Sequence, residues 1–455
     1  MITRAPMLTE GPVGRQLVAM TWPMLVGITT IMAQAFIDTW FLGLVGDDAL
    51  AAYSFGFPII MIVMSVAIGL GAGTSSVVAR AIGAHDHERA KRLVTDSHIL
   101  SLLIAVVCMV LGVLTIDVLF LALGAPPEMI TEIRVFMKIM YSAVPFMILG
   151  MVATSSMRAT GDTVLPSKLM IATAILNVIL DPIFIFGLGP IPALGLNGAA
   201  IAGLVSRAAF FFVSLYYLSR RLDLVTFAKP DTDAMRQSWR DVLHVGLPAA
   251  GTNVIVPMGL ALVTAMVASY GANAVAGFGV ASRIESMVLV PYYALSAIIG
   301  PFVGQNLAAG RDDRIRESLR LCAVFCVVSG LVIAGGLALG SGFLPGLFSE
   351  NPEVTDVTRT FLWVAPLGYG TYGIVMVVNA AFNGLGNPMP GVAISTLRVL
   401  AIYVPLAFLG KALFGVVGIF LAYALANVVS GVVGYLWARS TAHRLAVTKV
   451  HADTA

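Results

Sequence analysis

Two aspartates set inside otherwise apolar stretches are the first place to expect chemistry in this 455-residue chain. Asp38 lies in MAQAFIDTWFLG and Asp181 in ILNVILDPIFIF. A charge left unpaired at such a depth is costly, so each aspartate needs a partner or a use. Gln34 precedes Asp38 by four residues and Asn177 precedes Asp181 by four, which on a helix sets amide and carboxyl on one face. Pro182 has no amide to donate and disturbs the turn before it, releasing a backbone carbonyl. Two carboxylates, an amide oxygen and a carbonyl make a hard oxygen set suited to Na⁺. The same carboxylates, held close in a low dielectric, are equally suited to sharing a proton.

Other polar positions are less specific. Arg283 and Glu285 fall two residues apart in one apolar stretch and read as neutralising each other. Gln305, Asn306, Asn379, Asn383 and Asn427 are further polar candidates of the second half. His85, Asp86 and His87 sit beside Glu88 and Arg89, which suits a solvated loop better than a metal site. The chain has 21 methionines, most of them core residues. Those that face a cavity would give it a soft lining, with Gln34 and Tyr141 as contacts for flat organic molecules.

These residues must be positioned by membrane helices. The chain is 58% hydrophobic and 11% charged, with a mean hydropathy of +0.93, against about 25% charged residues in a soluble domain. Most apolar runs exceed the roughly 20 residues that cross a bilayer as a helix. The 45 Gly and 22 Pro are spread through these runs, as is usual where small residues allow close helix packing. Alternating ten-residue strands are absent, which argues against a β-barrel. The opening MITRAPMLTEGPVGR shows no cleavage pattern, so no removable leader is expected. Cys108, Cys322 and Cys326 lie inside apolar runs and read as packing residues. The net charge of +3 is dispersed among loops and points away from nucleic acid.

Six spans are predicted near 17–45, 49–83, 94–123, 131–157, 165–187 and 197–218, and six more near 245–270, 274–308, 319–347, 355–383, 388–410 and 414–438. The expected organisation is an N-terminal six-helix lobe over 1–218, a linker over 219–244, a second lobe over 245–438 and a tail over 439–455. Basic residues gather on one side, in HDHERAKR after Ala84, MRATGD after Ser156, the linker, GRDDRIRESLR after Ala309 and the tail. By the positive-inside rule that side is cytoplasmic and holds both termini. The halves match at an offset of about 225 residues: Pro23 with Pro248, GDDALAA from Gly46 with GANAVAG from Gly271, GAHDHER from Gly83 with GRDDRIR from Gly310, and RATGDTVLP from Arg158 with NGLGNPMP from Asn383. LGLNGAAIAG from Leu194 pairs with FGVVGIFLAY from Phe414. An even number of spans gives two copies of one orientation, with a cavity between the bundles as the expected route. At this offset Asp38 faces Val263, Asn177 faces Ile402 and Asp181 faces Leu406, so only the first half carries the charges.

The order of Pro23 and Asp38, GLGAGTSSVVARAIGA from Gly69, MRATGDT, NVILDP, LGLNGAAIAG and GPFVGQNLAAG from Gly300 resembles multidrug and toxic compound extrusion (MATE) transporters over nearly the full length, and the DinF-like branch best. The resemblance implies an all-α integral membrane protein of twelve helices in two pseudo-symmetric bundles around a central cleft. It also implies export of amphipathic, often cationic compounds in exchange for inward H⁺ or Na⁺, with no other cofactor. In that branch the cation site corresponds here to Asp38, Asn177 and Asp181. Some relatives carry a threonine after GAAIA where this chain has Gly203, with Asn197 or water as the substitute ligand. The setting implied is a multi-pass protein of the inner membrane, acting as a monomer on small organic substrates. The alternatives are a flippase for lipid-linked saccharides, which would line its cleft with cations, and an intramembrane enzyme using Asp38 and Asp181, for which no nucleophile or metal motif is present.

Overall fold

The computed structural model describes residues 8–124, 126–226, 228 and 231–453. It is helical throughout, with a single isolated bridge between Leu188 and Ile191 and no strand among the described residues. The first half runs through α1 (Val13–Val45), α2 (Asp47–Gly83), α3 (His87–Ala122), α4 (Ile130–Ala159), α5 (Val164–Ile185) and α6 (Gly195–Arg220). The second runs through α7 (Thr232–Ala268), α8 (Ala272–Val288), α9 (Val290–Ala308), α10 (Asp312–Gly340), α11 (Pro352–Val364), α12 (Tyr369–Gly384), α13 (Met389–Thr396) and α14 (Val404–Asp453), with a π-helical stretch at Leu397–Tyr403 between the last two.

Ten of these stretches are long and apolar enough to cross a bilayer, and the bent pair α8 and α9 makes eleven. The 47° bend falls beside Pro291, which has no amide with which to continue the α8 ladder. The stretch Met389–Leu445 is 57 residues long. As one straight helix it would reach about 85 Å, far beyond a bilayer core of about 30 Å. It does not run straight: Gly415 adopts φ 63°, ψ −140°, and a Cβ on Gly410 would lie 2.4 Å from the Gly418 carbonyl oxygen, although eight residues of helix span about 12 Å. Divided there, it supplies two crossings and brings the total to twelve. The protein is a multi-pass membrane protein. The α3 residues Leu103, Val107, Leu114 and Val118 are exposed, an apolar face suited to lipid.

The internal repeat is written into the backbone as well as the sequence. Left-handed φ values recur at Gly46 and Gly271, at His85 and Gly310, at Gly161 and Gly386, and at Gly195 and Gly415. Each pair sits at matching ends of helices in the two halves.

The chain divides into two compact units, Trp22–Ala250 and Leu8–Thr21 with Gly251–Ala455. The second therefore includes the first turns of α1. Inside the first unit α4 packs against α2, α3 and α6, and α5 against α6. The GLGAGTSS motif has a packing role. A Cβ on Gly69 would lie 2.5 Å from the Gly246 carbonyl oxygen, and one on Gly73 would lie 2.3 Å from that of Val242, so α2 and the start of α7 meet backbone to backbone. In the second unit buried Arg314 donates to the carbonyls of Leu8, Glu10 and Gly11 and to Gln16 and Asn306, while Gln305 accepts from the Leu8 amide. Gln305 and Asn306 thus fasten the segment before α1.

The expected linker over 219–244 is helical from Thr232 onward, and its non-helical part is tied to the start of α3 by Lys91 and Asp223 at 2.6 Å and by the Thr226 amide donating to Thr95. The expected tail continues α14 to Asp453, and residues 454–455 lie outside the described ones.

Candidate functional site

Within the first unit α1 and α5 bring Asp38 and Asp181 together. The Gln34 amide nitrogen donates to Asp38 Oδ2 at 3.2 Å and to Asn177 Oδ1 at 2.5 Å, and Asn177 in turn donates to Asp181 Oδ1 at 2.9 Å. The two carboxyl groups lie within hydrogen-bonding reach of each other. Asn177 and Asp181 are buried, and Asp38 is half-buried. The i, i+4 spacing read from sequence accounts for the contacts within each helix. The Gln34 to Asn177 bond is what joins the helices, and spacing alone could not supply it.

Asp38 Oδ1 and Asp181 Oδ2 are buried and receive no hydrogen bond. Such orphaned acceptors are costly unless a proton or cation meets them. The donor set fits Na⁺ or H⁺: two carboxylates, Asn177 Oδ1 with a lone pair to spare after Gln34, and the Val178 carbonyl, which Pro182 leaves without its helical partner. Asn197 Oδ1 is also buried without a donor. Among the described residues no cluster of three His, Cys, Asp or Glu side chains forms a transition-metal site. His87 lies 4.0 Å from Asp223, both largely exposed.

Gln34, expected as a substrate contact, donates in this structure to Asp38 and Asn177. Tyr141 is buried, its ring lying over Gly112, where a Cβ would come 2.1 Å from the ring. It lines a small pocket of about 20 Å³, room for about one water, with Ile60, Met137, Met140, Met147 and Arg207, so three methionines of α4 do face a cavity.

In the second unit Arg283 and Glu285 do not pair. Arg283 is exposed, whereas Glu285 Oε1 accepts from the Tyr423 hydroxyl at 2.5 Å. Near them Arg398 lies 4.4 Å over the Tyr372 ring and donates to Asn427 at 3.1 Å. The π-helical stretch carries Arg398, and such stretches often mark functional positions. Val263, which matches Asp38, is fully buried apolar core.

Two residues of these clusters went unread in the sequence, Arg207 and Arg398. Both stand in apolar spans, LVSRAAFFF and STLRVLAIY, and the test that singles out Asp38 finds them once it is applied to cations as well as to carboxylates.

Comparison with known proteins agrees with this architecture. The MatE family model matches residues 23–183 and again 248–409, two copies at the repeat offset. The FAD transporter of Shewanella oneidensis is 38% identical over 432 residues, covering 95% of this chain and 96% of that one. The probable multidrug resistance protein YoeA of Bacillus subtilis is 28% identical, covering 88% and 89%. Among solved structures, the Vibrio cholerae MATE transporter VcmN in the bent form superposes with a TM-score of 0.89 at 30% identity, over 95% of this chain and 98% of that one. An outward-facing MATE transporter of the MOP superfamily gives 0.91 at 25% identity, over 98% and 99%. A twofold match to one family model, on a twelve-span fold shared with its solved members, means that the chain belongs to the MatE family and is a membrane transporter, not an enzyme.

Proposed function

We propose that the protein exports amphipathic organic compounds in exchange for inward Na⁺ or H⁺, and that Asp38, Asn177 and Asp181 carry the coupling cation. The observation that supports this most directly is the pair of orphaned carboxylate oxygens, Asp38 Oδ1 and Asp181 Oδ2, in a braced oxygen site. Coupling follows if cation and substrate favour different states of the carrier. Filling the site neutralises it and favours the state that releases substrate outward; emptying it inside readies the carrier for the next substrate. The placement of the carboxylates in the first half supports the DinF-like branch. The one-sided distribution of Lys and Arg supports both termini being cytoplasmic; an inner-membrane location and a monomeric carrier are the expectations from family resemblance.

Cationic compounds remain the expected class from family resemblance, as the multidrug relatives suggest. A second substrate reading is favoured by the 38% identical relative named an FAD transporter, since a flavin dinucleotide is a planar ring system joined to a pyrophosphate. Arg207 beside the apolar pocket is compatible with it.

The test is efflux of ethidium and of FAD from proteoliposomes under an imposed Na⁺ or pH gradient, with wild type, Asp38→Asn and Asp181→Asn. Flux under one gradient, lost in both variants while each still folds, is the expected result. Normal gradient-driven flux in the variants would make the aspartates structural.

A further inference from the structure

The basic ends of the two repeats are built alike and closed differently. At the offset of about 225 residues, Arg89 at the start of α3 matches Arg314 at the start of α10, and Asp241 on α7 matches Gln16 on α1. In the second unit Arg314 donates to Gln16 at 2.7 Å and to the carbonyls of Leu8, Glu10 and Gly11, so the chain's own oxygens fill the place in front of the guanidinium. In the first unit the residues that match this segment, 233–236, already belong to α7, and their carbonyls are spent on the helix ladder. Arg89 keeps the looser match, Asp241 at 3.7 Å with both side chains substantially exposed, a pair worth little and easily exchanged. Beside it lies a crevice of about 240 Å³ lined by Arg89, Arg92, Leu93, Ala234, Gln237 and Ser238, where one water needs about 10–15 Å³. Its lining carries two guanidinium groups and no carboxylate. Both walls belong to the first unit and are held in place: Trp239 donates to the Asp96 carbonyl at 2.9 Å, joining α7 to α3, and the buried Asp96 carboxylate holds the Nε edge of Arg92 at 3.2 Å.

We propose that this crevice binds the phosphate headgroup of an anionic phospholipid whose acyl chains run down α3. Two guanidinium groups with Gln237 and Ser238 supply the charged and neutral donors that a phosphodiester takes. What lies beside the crevice selects a lipid over a soluble phosphate. Arg92 shares its helix face with Ile99, Leu103, Val106 and Val110, and these four are exposed, an apolar stripe suited to acyl chains. Arg92 stands two turns, about 10 Å, before Ile99, where the polar headgroup layer lies outside the hydrocarbon. The half-buried Trp239 also belongs at that depth. A phosphate seated on Arg89 and Arg92 is thus placed above the stripe that takes its chains, as basic pockets between membrane helices do for anionic headgroups. The lipid would do in the first unit what the segment before α1 does in the second, supplying oxygens to the arginine at a helix start. This goes beyond the export reading and does not depend on it.

The test uses full-length protein in detergent, titrated with phosphatidylglycerol or phosphatidylcholine, with lipid adducts counted by native mass spectrometry. The variants are Arg89→Gln, Gln237→Glu and Arg316→Gln. Arg92 stays in place because its loss would strand buried Asp96. Gln237 is exposed, so Gln237→Glu adds a negative charge at the crevice, and Arg316 is an exposed arginine at the start of α10 that serves as the charge control. Wild type should hold one phosphatidylglycerol about tenfold or more tightly than phosphatidylcholine, and both crevice variants should lose about tenfold, the loss of one charged hydrogen bond. Arg316→Gln should stay within about twofold of wild type. Inorganic phosphate and glycerol 3-phosphate separate the two sources of phosphate: neither should displace the lipid, whose chains add apolar burial. Displacement by either, with the same dependence on Arg89, assigns the crevice to soluble phosphate and overturns the lipid assignment. Equal retention of the two lipids, phosphatidylglycerol binding unchanged in both crevice variants, or an equal loss in Arg316→Gln overturns it as well. The adducts are counted without any gradient or transported compound, so failed efflux would leave this result standing, and a missing adduct would leave the export reading standing.

Discussion

Replacing Gln34 by alanine separates a brace for the cation site from a substrate contact. Its one amide nitrogen donates to Asn177 Oδ1 at 2.5 Å and to Asp38 Oδ2 at 3.2 Å. The first bond also fixes the Asn177 amide, whose other end donates to Asp181. Losing a neutral bond costs about 1 kcal/mol and losing one to a charged group about 1.5–3, and the long 3.2 Å contact belongs at the low end of that range. The site should therefore be weakened by about 2–3 kcal/mol, or about 30- to 150-fold in cation affinity. The assay is initial efflux rate in proteoliposomes, measured against the concentration of the driving cation and separately against substrate. The expected pattern is a large rise in the half-saturating cation concentration, with half-saturating substrate within about twofold. A rise for substrate with the cation dependence unchanged would refute the bracing role and return Gln34 to the substrate pocket.

Arg314→Ala should release the segment Leu8–Gln16, lowering stability by about 3 kcal/mol because several carbonyls lose a charged donor at once; thermal unfolding in detergent reads this, and an unchanged midpoint would show that the clamp is not needed. Gly415→Ala should cost about 1–3 kcal/mol, since φ 63°, ψ −140° is reached by glycine almost alone. It should act by disturbing the reversal within α14, visible as reduced yield of monodisperse protein, and wild-type yield and stability would refute that strain.

The number of crossings, the repeat and the carboxylate pair were legible in the sequence, because each depends on spacing along one chain. Apolar run lengths report crossings whatever the helices later touch, and i, i+4 spacing places Gln34 with Asp38 and Asn177 with Asp181 without knowledge of the fold. What spacing cannot carry is lateral choice among neighbours. Glu285 and Arg283 are two residues apart, which turns them to different sides of a helix, and Glu285 finds Tyr423, 138 residues away. Gln34 bridges to α5 by the same kind of distant contact. The break within Met389–Leu445 lies at Gly415, between the two spans the sequence predicts there. The start of α7 was read as linker because TDAMRQSWRD is polar, yet polar residues extend a helix readily where it leaves the apolar layer.

The two halves share more than a backbone. At the offset of about 225 residues that carries Pro23 to Pro248, Ile60 matches Glu285 and Met147 matches Tyr372. At the slightly shorter offset that carries Leu194 to Phe414, Gly203 matches Tyr423 and Arg207 matches Asn427. In the first unit Ile60, Met147 and Arg207 line the soft pocket. In the second, Glu285 with Tyr423 and Tyr372 with Asn427 gather about Arg398. One position in the fold has thus been built twice, once as a methionine-lined cavity with a single cation at its edge, and once as a filled polar and aromatic cluster. At the matching positions Gly203 has only the Arg207 guanidinium over it, whereas Tyr423 donates its hydroxyl to Glu285. A repeat that only needed to hold helices together would gain nothing from such divergence. In an exchanger each of two ligands must favour a different state, and chemically different sites in the two halves give them different groups with which to do so.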